Sequence, residues 1–296
     1  MSSEKAPVIT TSHEDEDILN AFEIPSMAFV SMVLKGVLEL GILELLAKCG
    51  QLSPLDIAAR LSIDNPAAPD ILNRMLRLLV SYSILSCTLV EDKGGRPQRL
   101  YSLGPRSKNC LKDAVKEGGA DPFTRRNGMG LGEDGRRSGR WRRRDPENHT
   151  LQEPHIRGIN YDLPHVIAAA PPIPGITHVG GDILKAVPKA DVHFMKWVLH
   201  CGDDEFCVKV LKNCWEALPP TGKVVIVDEV APEYPETDIV SQTTLLMDLN
   251  ALRMTGGGKT RTQREFADLA RASGFHAPKY VLRVYNLWLF ELHKKM

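Results

Sequence analysis

Apolar residues recur at helical spacing through MAFVSMVLKGVLELGILELLA (residues 27–47), then through SPLDIAARL and PDILNRMLRLLVSYSIL. This period of three to four predicts amphipathic helices, with Ser53 and Pro69-Asp70 in start positions. The pattern changes to a hairpin in SCTLVEDKGGRPQRLYSL, whose Gly94-Gly95 marks the turn. Helix, helix, helix and a two-stranded wing are therefore expected up to residue 111. A winged helix can bind DNA, but its third helix offers only Arg74 and Arg77 as cations, and these read as solvated helix-face charges. Dimerisation or substrate covering is the expected role.

From Pro154 onward strand and helix alternate, which predicts an α/β sheet. HIRGINYDL reads as a strand, PHVIAAA as a helix and ITHVGGDIL as a second strand. ADVHFMKWVLH reads as a long third strand with His200 at its tip. The helix DDEFCVKVLKNCWEAL and the near-continuous strand VVIVDE follow, then the helices TTLLMDLNALRM and TQREFADLARASG. KYVLRVYNLWLFELHKK predicts a closing antiparallel hairpin around Tyr285-Asn286, so the sheet is parallel with an antiparallel end.

The stretch between, residues 112–153, is rich in Gly and Arg and carries neither periodicity nor an apolar run, so it reads as irregular. Its RRSGRWRRR run, with Trp141 available to stack, could meet a polyanion, but a solvated loop is the expectation. GMGLGEDG neither follows a strand nor opens a helix and fails as a phosphate cradle. Three zones result: 1–111, 112–153 and 154–296.

Composition adds exclusions. Thirty-seven basic residues balance thirty-seven acidic ones, so nothing global attracts nucleic acid or an anionic membrane. Six cysteines without C-x-x-C read as reduced thiols, which points to the cytoplasm. The polar, acidic start of the chain predicts no secretory signal, and Lys35, Glu39 and Glu44 make residues 26–47 amphipathic rather than membrane-spanning. Cys207 and Cys214, seven apart on one helix face, are expected in the core, and no metal site is expected. Met247, Leu252 and Met254 have core spacing and could also line an apolar pocket.

In open α/β sheets ligands bind at the carboxyl ends of the strands. Asp162 ends the first strand, where it can accept ribose hydroxyls or cap the next helix. Gly180-Gly181-Asp182 ends the second, either as a close approach to a ligand or as a tight turn. His200 has the titration range to take a proton from a weakly acidic hydroxyl, or is structural. Lys196 shares its strand face about 13 Å away, as a ligand contact or as an edge residue that snorkels out. Asp228 and Glu229 end the fourth strand, where one could orient the His200 imidazole or both are simple strand-end charge.

PHIRGINYDLPHVIAAAPPIPGITHVGGDIL, FMKWVLH, LKNCWEALPPTGKVVIVDEV and GGGKTRT followed by EFADLARASGF resemble the plant caffeic acid O-methyltransferase family, S-adenosylmethionine-dependent methylases of phenols. FEIPSMAFVSMVLKGVLELGILELLA and RMLRLLVSYSIL resemble that family's N-terminal dimerisation domain. The resemblance implies a Rossmann-like methyltransferase domain (154–296), a winged-helix-like dimerisation domain (1–111), a homodimer and a small-molecule phenol as acceptor. It makes His200 the general base and Asp228, or neighbouring Glu229, the carboxylate flanking it. Asp162 becomes the ribose ligand, Asp182 and Ile183 adenosine contacts, and Lys196 a further cofactor contact.

Departures from the family are equally specific. The Gly-rich strand-to-helix turn that holds the cofactor's methionine part is absent, with several dozen neighbouring residues, in the pattern of a deletion plus an out-of-frame stretch. Its strand belongs in the middle of the sheet, between the strand ending at Asp162 and that ending at His200. Its loss predicts a truncated sheet with two edges that re-pair or stay exposed, and weak or no cofactor binding. Cys201-Gly202-Asp203-Asp204 replaces an Asp-Trp-Ser-Asp-like stretch, and Thr260 stands where a second carboxylate flanks the base. The alternative expectation is an inactive homologue that retains only dimerisation.

Overall fold

The computed structural model describes residues 29–91, 97–107 and 156–294. The 112–153 segment with its Arg run, the Gly94-Gly95 turn and the chain's first residues lie outside the described residues.

The helical region begins with α1 (29–39), α2 (Ile42–Cys49), α3 (Pro54–Arg60) and α4 (Ala68–Ser81). Ser53 caps α3 as expected: its hydroxyl accepts from the Asp56 N–H, and the Asp56 carboxylate accepts from the Ser53 N–H. The predicted wing is β1 (Leu85–Glu91) antiparallel to β2 (Pro97–Leu103). Burying one apolar face from each helix gives a core containing Val37, Ile42, Leu46, Ile57, Leu76 and Leu79.

The second region contains β3 (Gly158–Asp162), α5 (Pro164–Ile167), β4 (Ile176–Gly180), β5 (Val192–Lys196), α6 (Asp204–Ala217), β6 (Lys223–Ala231), α7 (Ile239–Thr255), β7 (Arg261–Thr262), α8 (Gln263–Ala272), β8 (Lys279–Val284) and β9 (Leu287–His293). The α/β expectation holds: β3 pairs parallel with β4, β5 parallel with β6, and β8 and β9 form the antiparallel end beyond β6. The closing turn sits at Tyr285, whose φ of 55° lies in the left-handed region. β6 lies between β5 and β9; Val224 and Ile226 are buried and alternate with half-buried neighbours, and its carboxyl-terminal residues Asp228–Ala231 are buried in succession. Cys207 and Cys214 are fully buried in the core between α6 and the sheet.

The sheet is divided at the place the missing strand predicts. Order β5-β6-β9-β8 forms one sheet and β3-β4 another, and among the described residues β3 and β5 each have one strand partner. Apolar side chains that a central strand would cover stay in solvent: Phe194 is 64% exposed and Ile159 44%.

Helix α7 joins the two regions, because Leu245, Leu246 and Leu249 pack into the N-terminal core. Each such burial contributes about 1.5–3 kcal/mol. The reading of Arg74 and Arg77 as solvated charges is corrected here: both are buried against this second region. Arg74 donates to the Asp248 carboxylate and to the Asp248 and Gly258 carbonyls, while Arg77 donates to the Pro232 carbonyl. Met254 is exposed rather than core. No helix among the described residues is long and apolar enough to cross a membrane.

Candidate active site

The expected long third strand is shorter than its apolar pattern. β5 ends at Lys196, and Trp197, at φ 56°, turns the chain off the sheet, so His200 lies in a 3-10 turn spanning Leu199–Cys201. An L-residue held at positive φ carries strain of order 1–3 kcal/mol, which surrounding contacts must offset. Lys196 therefore shares no extended strand face with His200. It is exposed, and its ammonium sits over the Trp197 ring, 4.9 Å from the centroid.

The turn is held from below by a residue the sequence reading did not single out. Arg261 is fully buried and donates Nη1 to the Leu199 carbonyl at 2.7 Å, Nη2 to the Gly202 carbonyl at 2.9 Å and Nε to the Asp204 carboxylate at 2.9 Å. The two carbonyls flank His200, so one rigid guanidinium fork fixes the loop on both sides of the imidazole. Asp203 caps α6 by accepting from the Phe206 N–H. Gly258 lies so close under the His200 carbonyl that any side chain there would collide with it.

His200 Nδ1 faces Asp228 Oδ1 at 3.3 Å, and the Asp228 carboxylate is completely buried. That carboxylate also accepts from the Glu229 N–H at 3.0 Å, while its Oδ2 has no hydrogen-bond partner. Of the two acids considered as flanking groups, Asp228 makes the contact. Glu229 accepts from the Asn286 amide, and its carboxyl group lies within 4.8 Å of the His200 and Asp228 ligand-type atoms. Burial, then the Asp228 charge, push the Glu229 carboxyl up to about 7. Burial alone would disfavour a charged His200, yet the bonds to Asp228 and Cys201 and their charges push its imidazole up to about 10. Cys201 is the other unforeseen neighbour: its sulfur lies 3.6 Å from His200 Nε2, the nitrogen facing away from Asp228.

Asp162 and Asp182 sit on the other fragment of the sheet. The β3/β4 register pairs Asp162 with Gly180, so Asp162 and Gly181-Asp182 emerge at the same carboxyl edge, and Gly181 N–H donates to the Asp162 carbonyl. Asp162 accepts from the Leu163 N–H and Asp182 from the Leu184 N–H, one carboxylate oxygen each. Gly180 and Gly181 are closely approached by the chain itself, Pro164 against the first and the Tyr161 ring against the second. Ile183 is half-buried against the α6 core, and its carbonyl accepts from Asn213. Thr260, at the position of the second carboxylate, supplies no acid to the pair; its N–H donates to Asp248 and its hydroxyl is buried without a hydrogen-bond partner. The structure thus brings together His200, Asp228 and Glu229 in one group and Asp162, Asp182 and Ile183 in another.

Comparison with known proteins gives this arrangement a lineage. Residues 147–276 match the O-methyltransferase domain family and residues 22–113 the O-methyltransferase dimerisation domain. The caffeic acid 3-O-methyltransferase of Capsicum annuum is 37% identical over 352 residues, covering 96% of this chain and 98% of the relative. Since 96% of 296 residues is about 284, about 68 of those 352 positions have no counterpart here. Myricetin 3-O-methyltransferase 3 of Solanum habrochaites is 34% identical over 97% of this chain and 98% of its own length. The crystal structure of an O-methyltransferase family 2 protein from Planctomyces limnophilus in complex with apigenin has the same fold, with a TM-score of 0.66 at 15% identity over 98% of this chain and 99% of that one. With the dimerisation domain ahead of the α/β sheet, the His-Asp pair at its carboxyl edge and the identity sustained along the chain, this protein belongs to the family of S-adenosylmethionine-dependent O-methyltransferases that includes the plant caffeic acid 3-O-methyltransferases.

Proposed function

We propose that this chain methylates a phenolic hydroxyl of a phenylpropanoid or flavonoid-like acceptor, with His200 as general base, and works as a cytoplasmic homodimer. The reading rests chiefly on the His200–Asp228 pair. Asp228 fixes Nδ1 and favours the imidazolium that forms when Nε2 takes the phenolic proton. A phenol titrates near 10 in water, so a base whose conjugate acid also lies at about 10 receives that proton without a large uphill step. The acceptor hydroxyl takes the place at Nε2 that the Cys201 thiol holds at rest. Glu229 adds a second acid beside the pair. Acceptors named for the relatives, caffeic acid and myricetin, motivate the substrate class. The proposed zones are 1–111 for dimerisation, 112–153 as a Gly/Arg-rich linker and 154–296 for catalysis.

The residues present fit the adenosine half of S-adenosylmethionine. Asp162 and Asp182 bring two carboxylates to one sheet edge, the acceptor type that ribose hydroxyls and an adenine amino group require. Ile183 adds an apolar contact and Lys196 an exposed cation. When bound, that cofactor supplies the methyl group on a positively charged sulfur. The remaining work of this chain is to hold the acceptor, move its proton to His200 and keep the imidazole in place through Asp228 and Arg261.

A second reading, an inactive homologue that keeps dimerisation, is favoured by the divided sheet and the exposed Phe194. Calorimetric titration of the folded chain with S-adenosylhomocysteine separates the two. Micromolar binding that Asp162→Ala abolishes supports the first. A folded dimer that binds nothing supports the second.

A further inference from the structure

A cleft of about 370 Å³ lies between α4 and β2 of the N-terminal region and the loop from Lys259 to α8, and its lining does not include His200, Asp228 or Glu229. Two buried arginines line it, and they are treated differently by the chain. Arg74 is fully engaged with Asp248 and two carbonyls. Arg77, one turn further along α4 and 4% exposed, makes one hydrogen bond among the described residues, from Nη2 to the Pro232 carbonyl, and no ion pair there. Its Nε is buried with no partner. The same is true of the Thr260 hydroxyl, which belongs to another residue lining the cleft and is 3% exposed.

The charges around Arg77 act in both directions, with Asp248 and Glu265 favouring its charged form. Burial, and then repulsion from Arg99, oppose its charged form. Arg99 is itself mostly buried in the cleft wall and spends Nε and Nη2 on the Glu233 carbonyl. Most carboxylates lining the cleft are engaged by other groups: Asp248 by Arg74 and the Thr260 N–H, Glu265 by Lys259 and the Thr262 N–H, Asp268 by Arg271 and Glu233 by Arg99, while Asp70 stands at the start of α4. A buried guanidinium whose Nε lacks a partner, a second guanidinium beside it and a buried hydroxyl without a partner in the same cleft are the complement of an oxyanion.

We propose that this interdomain cleft binds a small oxyanion, phosphate or carboxylate in class, between Arg77, Arg99 and Thr260. Occupation adds a directly bonded counter-charge beside Arg77 and ties α4 to the catalytic region through the ligand.

The test is thermal unfolding of the full chain in inorganic phosphate or in acetate, each against chloride at equal ionic strength. Phosphate or acetate is expected to raise the melting temperature saturably, and the more effective anion identifies the class. Thr260→Val, which removes the hydroxyl at constant shape, is expected to weaken the apparent affinity by about tenfold. Arg77→Met removes an unpaired buried charge, so it is expected to leave the anion-free protein as stable or more stable while abolishing the anion response. If Arg77→Met does not fold, Arg99→Gln is read in its place, with the anion response expected to fall by about tenfold. Equal melting temperatures in phosphate, acetate and chloride overturn the proposal. So does an anion response that survives Arg77→Met or Arg99→Gln unchanged.

Discussion

Replacing Asp228 with Asn removes the charge that holds His200 protonated while keeping the side chain's shape. A rise from 6.5 to about 10 corresponds to roughly 4–5 kcal/mol of preference for the charged ring, set by Asp228 and Cys201 against the opposing effect of burial. With Cys201 still present, His200 in Asp228→Asn is expected to titrate at or below about 8. The assay is an NMR titration of the imidazole Cε1–H from acid to alkaline pH, with His200→Gln to assign the resonance. Stability must move with it. A histidine whose pKa is raised on folding stabilises the native state fully below pH 6.5 and loses that contribution as pH rises through about 10. Glu229, raised from 4.5 to about 7, acts in the same direction at lower pH, its contribution fading as pH climbs from 4.5 through 7. Urea midpoints of the wild type should therefore fall between pH 6.5 and 10, and Asp228→Asn should flatten that decline. Wild-type His200 titrating near 6.5, or an unchanged value in Asp228→Asn, would refute the reasoning.

Two further outcomes follow from the packing. Arg261→Ala leaves the Leu199 and Gly202 carbonyls without their donor and opens a cavity, so a loss of about 3–5 kcal/mol in urea unfolding is expected. Arg261→Lys should recover part of that stability but less of the turnover, because an ammonium cannot hold both carbonyls and Asp204 in one plane; equal turnover in Arg261→Lys and wild type would remove Arg261 as the positioning residue. Phe194→Ser should lower light scattering of concentrated protein without lowering its melting temperature, since the ring is 64% exposed on an edge strand. A melting temperature several degrees lower would mean that the ring is covered in solution.

Local chemistry makes most of the elements legible in the sequence. Ser53, Pro69 and the apolar periods mark helices that the structure contains, and the alternation of β3 to β9 with helices gives the parallel sheet and its antiparallel end. The division of the sheet followed from the strand missing between β3 and β5. What escaped was contact between residues far apart in the chain. Arg74 looked like a surface charge because its partner Asp248 lies 174 residues away. Arg261 drew no reading from the sequence, because nothing local announces that its fork reaches two carbonyls about sixty residues upstream. His200 was placed on a strand because Trp197 has no residue-type signature for its positive φ, such as Gly or Asn would give. The one available signal was Cys201, whose departure from the family pattern marked the turn as altered and whose sulfur does meet the imidazole.

The central claim is that His200 removes the acceptor proton in a methyl transfer that this chain performs. Its most direct test is mass-spectrometric detection of methylated catechol after incubation with S-adenosylmethionine, comparing wild type with a folded His200→Gln protein. A single added methyl group in the wild-type reaction, formed faster as pH rises toward 10 and about 10²–10⁴-fold slower in His200→Gln, is the predicted result. A folded wild-type protein that forms no product, or a His200→Gln protein that forms it at the wild-type rate, would contradict the account.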